Sequence, residues 1–297
     1  MTTAPLADER PAAGWDFGAY PYALETLVLP DPAARLRGGG PAPDALDLAD
    51  GPAVAPADSP EELFWFRWIT GHQAVFALWH LLDDELELVL ADTVENAAVR
   101  ATALMDAYSA LLVYTGSPPR KLYDSLIRPA MMLQHRMFSG RWAPDYVAIP
   151  PKLRALRARF RRSTPMPAAI AALNQAGKLN HRVHMAIAAK LVPDGDSLLR
   201  AGDAVAYGAP TEETARLYDS FFATHRALTP RSEVIAQLVR RLHVIMLDLR
   251  SNGLYPEAWC SAAECPEELA DGELARFSDR IEPLLAEAGR TASSLCR

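Results

Sequence analysis

The chain has 297 residues, half of them hydrophobic, with 30 Lys and Arg against 37 Asp and Glu, a formal charge of -7 and a pI near 5.5. Such an acidic protein is repelled by nucleic acid and by anionic lipid, so neither is expected as a partner. No run reaches the ~18 apolar residues of a membrane span, and the opening MTTAPLADERPAAG lacks the apolar core of an export signal, so a cytoplasmic protein is expected. Cys260, Cys265 and Cys296 are odd in number and lack CxxC spacing, which reads as reduced thiols and not as a zinc site.

Trp15 to Leu29, WDFGAYPYALETLVL, is a short amphipathic segment. Residues 30–58 are rich in Pro, Ala, Gly and Asp and read as a loop, either covering the protein or mobile. A long helix then begins cleanly: Ser59 suits the N-cap, Pro60 the first helical position, and Glu62 a capping box. From Glu61 to Leu90 the apolar residues recur at helical spacing, so that Phe64, Trp68, Val75, Leu78, Trp79 and Leu82 make a wide surface. His72 and Gln73 sit in the middle of it. A buried imidazole there is either a satisfied core histidine or one with chemistry to perform.

A second helix is expected from Asp92, with Glu95 repeating the capping signature, through Leu104, Leu111 and Leu112 to Gly116. Helices separated by Pro and Gly breaks continue to the end, without alternating strand patterns or internal repeats. An all-α fold is expected, as one domain over residues 1–297. In Tyr123 to Tyr146, Pro129-Ala130 precedes Gln134-His135-Arg136, and a guanidinium on so apolar a segment is either a surface group or a bidentate carboxylate ligand. In Met166 to Val192, His181 and His184 lie one turn apart. Gly177, one turn before His181, is costly within a helix unless something approaches closely there.

Several of these stretches resemble the tryptophan 2,3-dioxygenase group of haem enzymes. Thr70-Gly71-His72-Gln73-Ala74, followed by Leu78-Trp79, is similar to the family's Thr-His-Gln-Ala helix, although the family has no glycine between Thr and His. Ala19-Tyr20-Pro21-Tyr22-Ala23-Leu24-Glu25-Thr26-Leu27 resembles its entry segment, and Pro129-Ala130 with Gln134-His135-Arg136 resembles its Pro-Ala, Gln-Phe-Arg segment. Tyr218-Asp219 to Phe222 resembles a segment that follows the axial ligand. The family's Gly-Thr-Gly-Gly-Ser-Ser-Gly loop is absent; the chain reads PDGDSLLRAGDAVAYGAP instead. The branch that keeps the histidine and arginine but lacks this loop is the haem-dependent L-tyrosine hydroxylases of bacterial natural-product pathways.

The resemblance implies haem b, with His72 on its distal side as catalytic acid/base and an axial ligand on the opposite face. His181 or His184 is the expected ligand: Gly177 and Asn180-His181 favour the first, the apolar run after His184 the second, and His243 ranks behind both. It also implies that Arg136 holds the substrate carboxylate, that His135 lines the pocket, and that Tyr20 belongs to the substrate site near a neighbouring subunit. The expected reaction is hydroxylation of L-tyrosine to 3,4-dihydroxy-L-phenylalanine with hydrogen peroxide or dioxygen, in a homo-oligomer, dimer or tetramer. A haem oxygenase acting on tryptophan or another indole, and a non-catalytic helical binding protein, are the alternatives.

Overall fold

The computed structural model describes residues 22–38, 40, 55–91, 94–161, 163, 165–192, 210–260 and 277–296. Its organising element is α1, Pro60–Leu90, which opens as the capping residues dictate: the Ser59 hydroxyl accepts from the Glu62 amide at 3.2 Å, with Pro60 in the first turn. The reciprocal bond of the box is displaced by one residue. The Glu62 carboxylate accepts from the amide of Asp58, at 2.9 Å. From Leu63 to Leu82 nearly every α1 residue is buried, so this helix is surrounded and not merely laid against a core.

α2, Val94–Thr115, packs along α1, and α6, Ala168–Leu191, packs chiefly on α2. Both contacts depend on glycine. A Cβ on Gly71 would stand 2.3 Å from Cγ2 of Thr115, and one on Gly116 2.5 Å from Cγ2 of Ile187, so only hydrogen lets these backbones approach. Gly177 is different: a Cβ there would meet nothing within 4 Å among the described residues, so no described contact explains it. Asn180 Nδ2 donates to Ser109 Oγ at 3.1 Å, and Lys190 Nζ to the carbonyls of Gly116 and Ser117, which fixes the register of α6 on α2.

After α2 the chain forms one helical run, α3 (Arg120–Leu122), a π turn (Tyr123–Ile127) and α4 (Arg128–Gln134). The π turn has a chemical cause. Pro129 lacks an amide hydrogen for the carbonyl four residues back and its ring displaces that carbonyl, so the ladder widens and Arg128 N bonds to Tyr123 O. α5, Ile149–Phe160, lies against α1; α7, Glu212–Phe221, against the end of α4; α8, Arg231–Asn252, against α1; and α9, Ile281–Ser294, against α2 and α8.

The fold is all-α apart from one small pairing that the sequence pattern did not suggest. β1, Leu27–Leu29, runs parallel to β2, Thr224–Arg226, with Leu27 opposite Thr224. Gln237 of α8 satisfies the other edge of β1, its amide bonding both N and O of Val28 at 2.8 Å. The segment at 30–58 is non-helical where it is described up to Ser59, and Tyr22 anchors it through Ala55 O at 3.0 Å. Cys260 and Cys296 are buried free thiols; Cys265 lies outside the described residues. No described helix is long and apolar enough to cross a membrane.

Two clusters of charged side chains enclosed by the bundle are bonded internally. Arg67, fully buried on α1, donates to both oxygens of Asp248 and to the carbonyls of Gly253 and Leu254, while Tyr114 donates to the same carboxylate at 2.8 Å. On another side of α1, Asp145 receives His80 Nε2 at 2.8 Å and both terminal nitrogens of Arg226, which also grips Asp219. Charges this deep need such complete pairing.

Candidate functional site

Gln73 and His72 are adjacent on α1 but face different tasks. Gln73 is fully buried: its amide nitrogen donates to Phe222 O at 2.8 Å and its oxygen accepts from Arg241 Nε at 3.0 Å. It therefore ties the chain after α7 to α8 and is structural. The same stretch contains Ala223 at φ 46, a left-handed conformation for a non-glycine residue, held there because its carbonyl accepts from Leu27 N at 3.0 Å. This clamp presents the Phe222 ring to His72.

His72 is half-buried among aromatic rings. Phe222 stacks on it at 4.6 Å and 25°, Trp68 lies 4.5 Å away, and Phe76 meets it edge-on at 6.2 Å. Its Nδ1 lies 2.6 Å from the carbonyl of Trp68, an acceptor only, so that nitrogen carries the proton. Nε2 is left with a lone pair and no partner among the described residues. Desolvation by the rings pushes the His72 pKa down to about 4, against the opposing effect of the Trp68 hydrogen bond. At neutral pH it is an uncharged imidazole able to accept a proton or bind a metal ion through Nε2.

The aromatic wall continues from this ring. Phe138 stacks on Tyr218 at 5.5 Å and 11°, and reaches Phe221 at 4.8 Å and Phe222 at 6.3 Å; Tyr123 of the π turn meets Trp68 at 5.8 Å. All of these rings lie in stretches that the sequence analysis singled out, Glu61 to Leu90, Tyr123 to Tyr146 and Tyr218 to Phe222, but not as members of one wall. Phe138 and Tyr123 join it through tertiary contacts that no short motif encodes.

Arg136 is exposed on the turn after α4, two residues before Phe138. Gln134 Nε2 donates to Leu217 O at 3.4 Å, which docks this turn against α7. The described residues give the Arg136 side chain no ion-pair partner, so its guanidinium is available to a ligand at the edge of the aromatic wall. His135 is exposed too. Its Nδ1 accepts from the Met137 amide at 3.0 Å and its ring packs against Trp142 at 5.1 Å, so it is engaged in shaping the turn. Tyr20 lies outside the described residues, as does most of the stretch at 193–209 that replaces the family's glycine-rich loop.

His181 and His184 share the outer face of α6, opposite the side that packs on α2. Both are exposed, and neither has a hydrogen-bond partner among the described residues. Desolvation, and after it the neighbouring His181, lower the pKa of His184 and favour its neutral, ligating form. With Gly71 against Thr115, Asn180 against Ser109 and Ile187 against Gly116, His72 and His184 stand at nearly the same height along α2, on different sides of it. His243 is buried in α8, its Nδ1 without a partner, and burial lowers its pKa.

These residues fit a haem in kind. His72 Nε2 and the rings of His181 and His184 have no partner among the described residues, and the helices of the bundle carry half-buried apolar side chains, Leu112 of α2, Leu179 and Ile187 of α6, and Phe221 of α7. Apolar walls with few polar groups and an available imidazole are what a porphyrin requires.

Fold and site together define a predominantly helical protein with an imidazole walled by aromatic rings. The family model described as SfmD 3-methyl-L-tyrosine peroxygenase matches residues 18–173, more than half of the chain. The chain belongs to this peroxygenase family. The match includes His72, His135 and Arg136 and ends near the start of α6, before His181 and His184. No curated protein matches the sequence.

Proposed function

We propose that this protein is a haem-dependent peroxygenase that hydroxylates the ring of an L-tyrosine-type amino acid ortho to its phenol. L-tyrosine would give 3,4-dihydroxy-L-phenylalanine and hydrogen peroxide would be reduced to water, in natural-product biosynthesis. The observation that carries this reading is the neutral His72, with Nε2 free and rings on several sides, inside the segment matched by a peroxygenase family. Haem b, held by His181 or His184, would supply the iron that cleaves the O–O bond.

The protein's own residues account for the rest. His72 Nε2 takes a proton from peroxide and returns it to the departing oxygen, as an uncharged base with a fixed Nδ1–H tautomer can. Phe222 and Trp68 shield the His72 ring from water, and Phe138 extends this apolar wall. Arg136 receives the amino-acid carboxylate at the edge of this wall. Oxidation of tryptophan or another indole is the alternative to separate by turnover.

The test is the optical spectrum of the purified protein, with L-tyrosine, 3-methyl-L-tyrosine or L-tryptophan added. A histidine-ligated haem spectrum is expected, perturbed by the tyrosines more than by tryptophan. His181→Ala or His184→Ala should abolish it, whichever is the ligand, and the other should leave it. His72→Ala should keep haem and substrate binding but slow hydroxylation by about 10²- to 10⁴-fold, the usual worth of acid/base assistance. A colourless protein would sink the proposal, and loss of haem in His72→Ala would make His72 the axial ligand.

A further inference from the structure

A second concavity, of about 450 Å³, opens between α2, the start of α6 and α9. It is remote from His184: Ala172, on its wall, precedes His184 by twelve residues, about 18 Å along α6 at 1.5 Å per residue. The walls are apolar, built by Val99 and Ala103 of α2, Ala169 and Ala172 of α6, and Leu284 of α9. The charged groups facing it are Asp106 from α2, Arg280 just before α9, and Glu287 and Arg290 on α9; α6 contributes none.

These charges are not equivalent. Arg290 is committed to Glu287, with Nη2 at 2.6 Å from Oε2, and the Thr102 hydroxyl donates to Ala98 O. Asp106 and the Arg280 side chain have no hydrogen-bond partner among the described residues, and they are not paired with each other. A half-buried carboxylate without a donor is costly and asks for a cation, while the exposed Arg280 guanidinium that lines the same cleft is available to an anion. We propose that this cleft binds a zwitterionic α-amino acid with an apolar side chain, its ammonium on Asp106, its carboxylate on Arg280 and its side chain against Val99, Ala103 and Leu284. Burial raises the Asp106 pKa to about 6, with Arg280 opposing, so the carboxylate is ionised at pH 7 and largely neutral at pH 5. Glu287 and Arg290 neutralise each other at the rim. The site does not depend on haem or on the reading of His72.

The experiment is a titration of the full chain with L-phenylalanine, followed by the methyl resonances of Ala103, Ala169 and Leu284, which report this cleft alone. In the wild type these signals should shift saturably, and the affinity should weaken as pH falls from 7 to 5. Asp106→Asn, which keeps size and shape, and Arg280→Gln should each weaken binding about tenfold or more. Phenethylamine, lacking the carboxylate, should bind the wild type and Arg280→Gln alike but not Asp106→Asn. Absence of methyl shifts at millimolar phenylalanine, or unchanged affinity in both variants, would overturn the proposal. Tighter binding of phenethylamine than of phenylalanine would overturn the carboxylate assignment.

Discussion

Arg136 stands free on an exposed turn, and that position decides how its contribution is measured. An exposed arginine contributes little to stability, so Arg136→Ala should unfold at nearly the wild-type temperature. If it grips the carboxylate, the same variant should bind L-tyrosine more weakly by about 1.5–3 kcal/mol, the range for hydrogen bonds to charged groups. Tyramine should bind both proteins equally. Calorimetric titration of the two ligands separates the outcomes, and equal tyrosine affinity in the variant would remove Arg136 from the site. His135, drawn from the same motif, is less free: its Nδ1 and its ring are already used within the turn.

At the scale of elements, the crossing of α1 and α2 controls where His72 points. Gly71 precedes His72, and a methyl there would collide with Thr115 Cγ2. Gly71→Ala should cost about 1–3 kcal/mol, as overpacking of a tight core does. Thr115→Ser removes Cγ2 and keeps the hydroxyl that bonds to Leu111 O, so the double variant should recover most of the loss. Denaturant unfolding of the three variants checks this, and additive losses would show that the contact is not the cause. The glycine that departs from the dioxygenase wording thus has a packing reason. The π turn is of the same kind: Pro129 was read as half of a family motif, and its physical work is to widen the helix that brings Tyr123 to Trp68.

The whole molecule shows which signals are local and which are not. The long helices were legible because caps and 3.6-residue periodicity act within a few residues, and His72 was legible as a polar group on an apolar face. The strand pair was not, since LVL is too short to alternate and its partner is almost two hundred residues away. The pairing of Phe222 with His72 was hidden for the same reason, although the segment holding Phe222 had been noted. Gly177 was read as making room for a close neighbour, and no described residue lies within 4 Å of a Cβ there.

Acid stability also belongs to this scale. The folded pKa of His72, about 4, lies below the ordinary 6.5, so between these values the unfolded chain binds a proton that the folded chain refuses. Stability contributed by the neutral imidazole is complete above pH 6.5 and lost as pH falls through this window, by about 3 kcal/mol. Asp145, held below the usual carboxylate range by His80 and Arg226 despite its burial, loses its contribution at lower pH still. Unfolding measured from pH 7 to 4 should show a shallower slope for His72→Phe than for the wild type. Parallel slopes would mean that His72 is protonated in the folded state.

β1 pairs with a strand almost two hundred residues further along, and Gln237, which holds its other edge, comes later still. On a ribosome, residues 27–29 emerge long before their partner and cannot pair until Thr224–Arg226 has been made. The clamp of Leu27 on Ala223, and with it the placing of Phe222 over His72, therefore follows the assembly of α1 and α2. A nascent or truncated chain can hold α1 and α2 without yet having a finished wall around the imidazole. The surroundings of His72 are thereby completed only after Phe222 and the strand beyond it have been made.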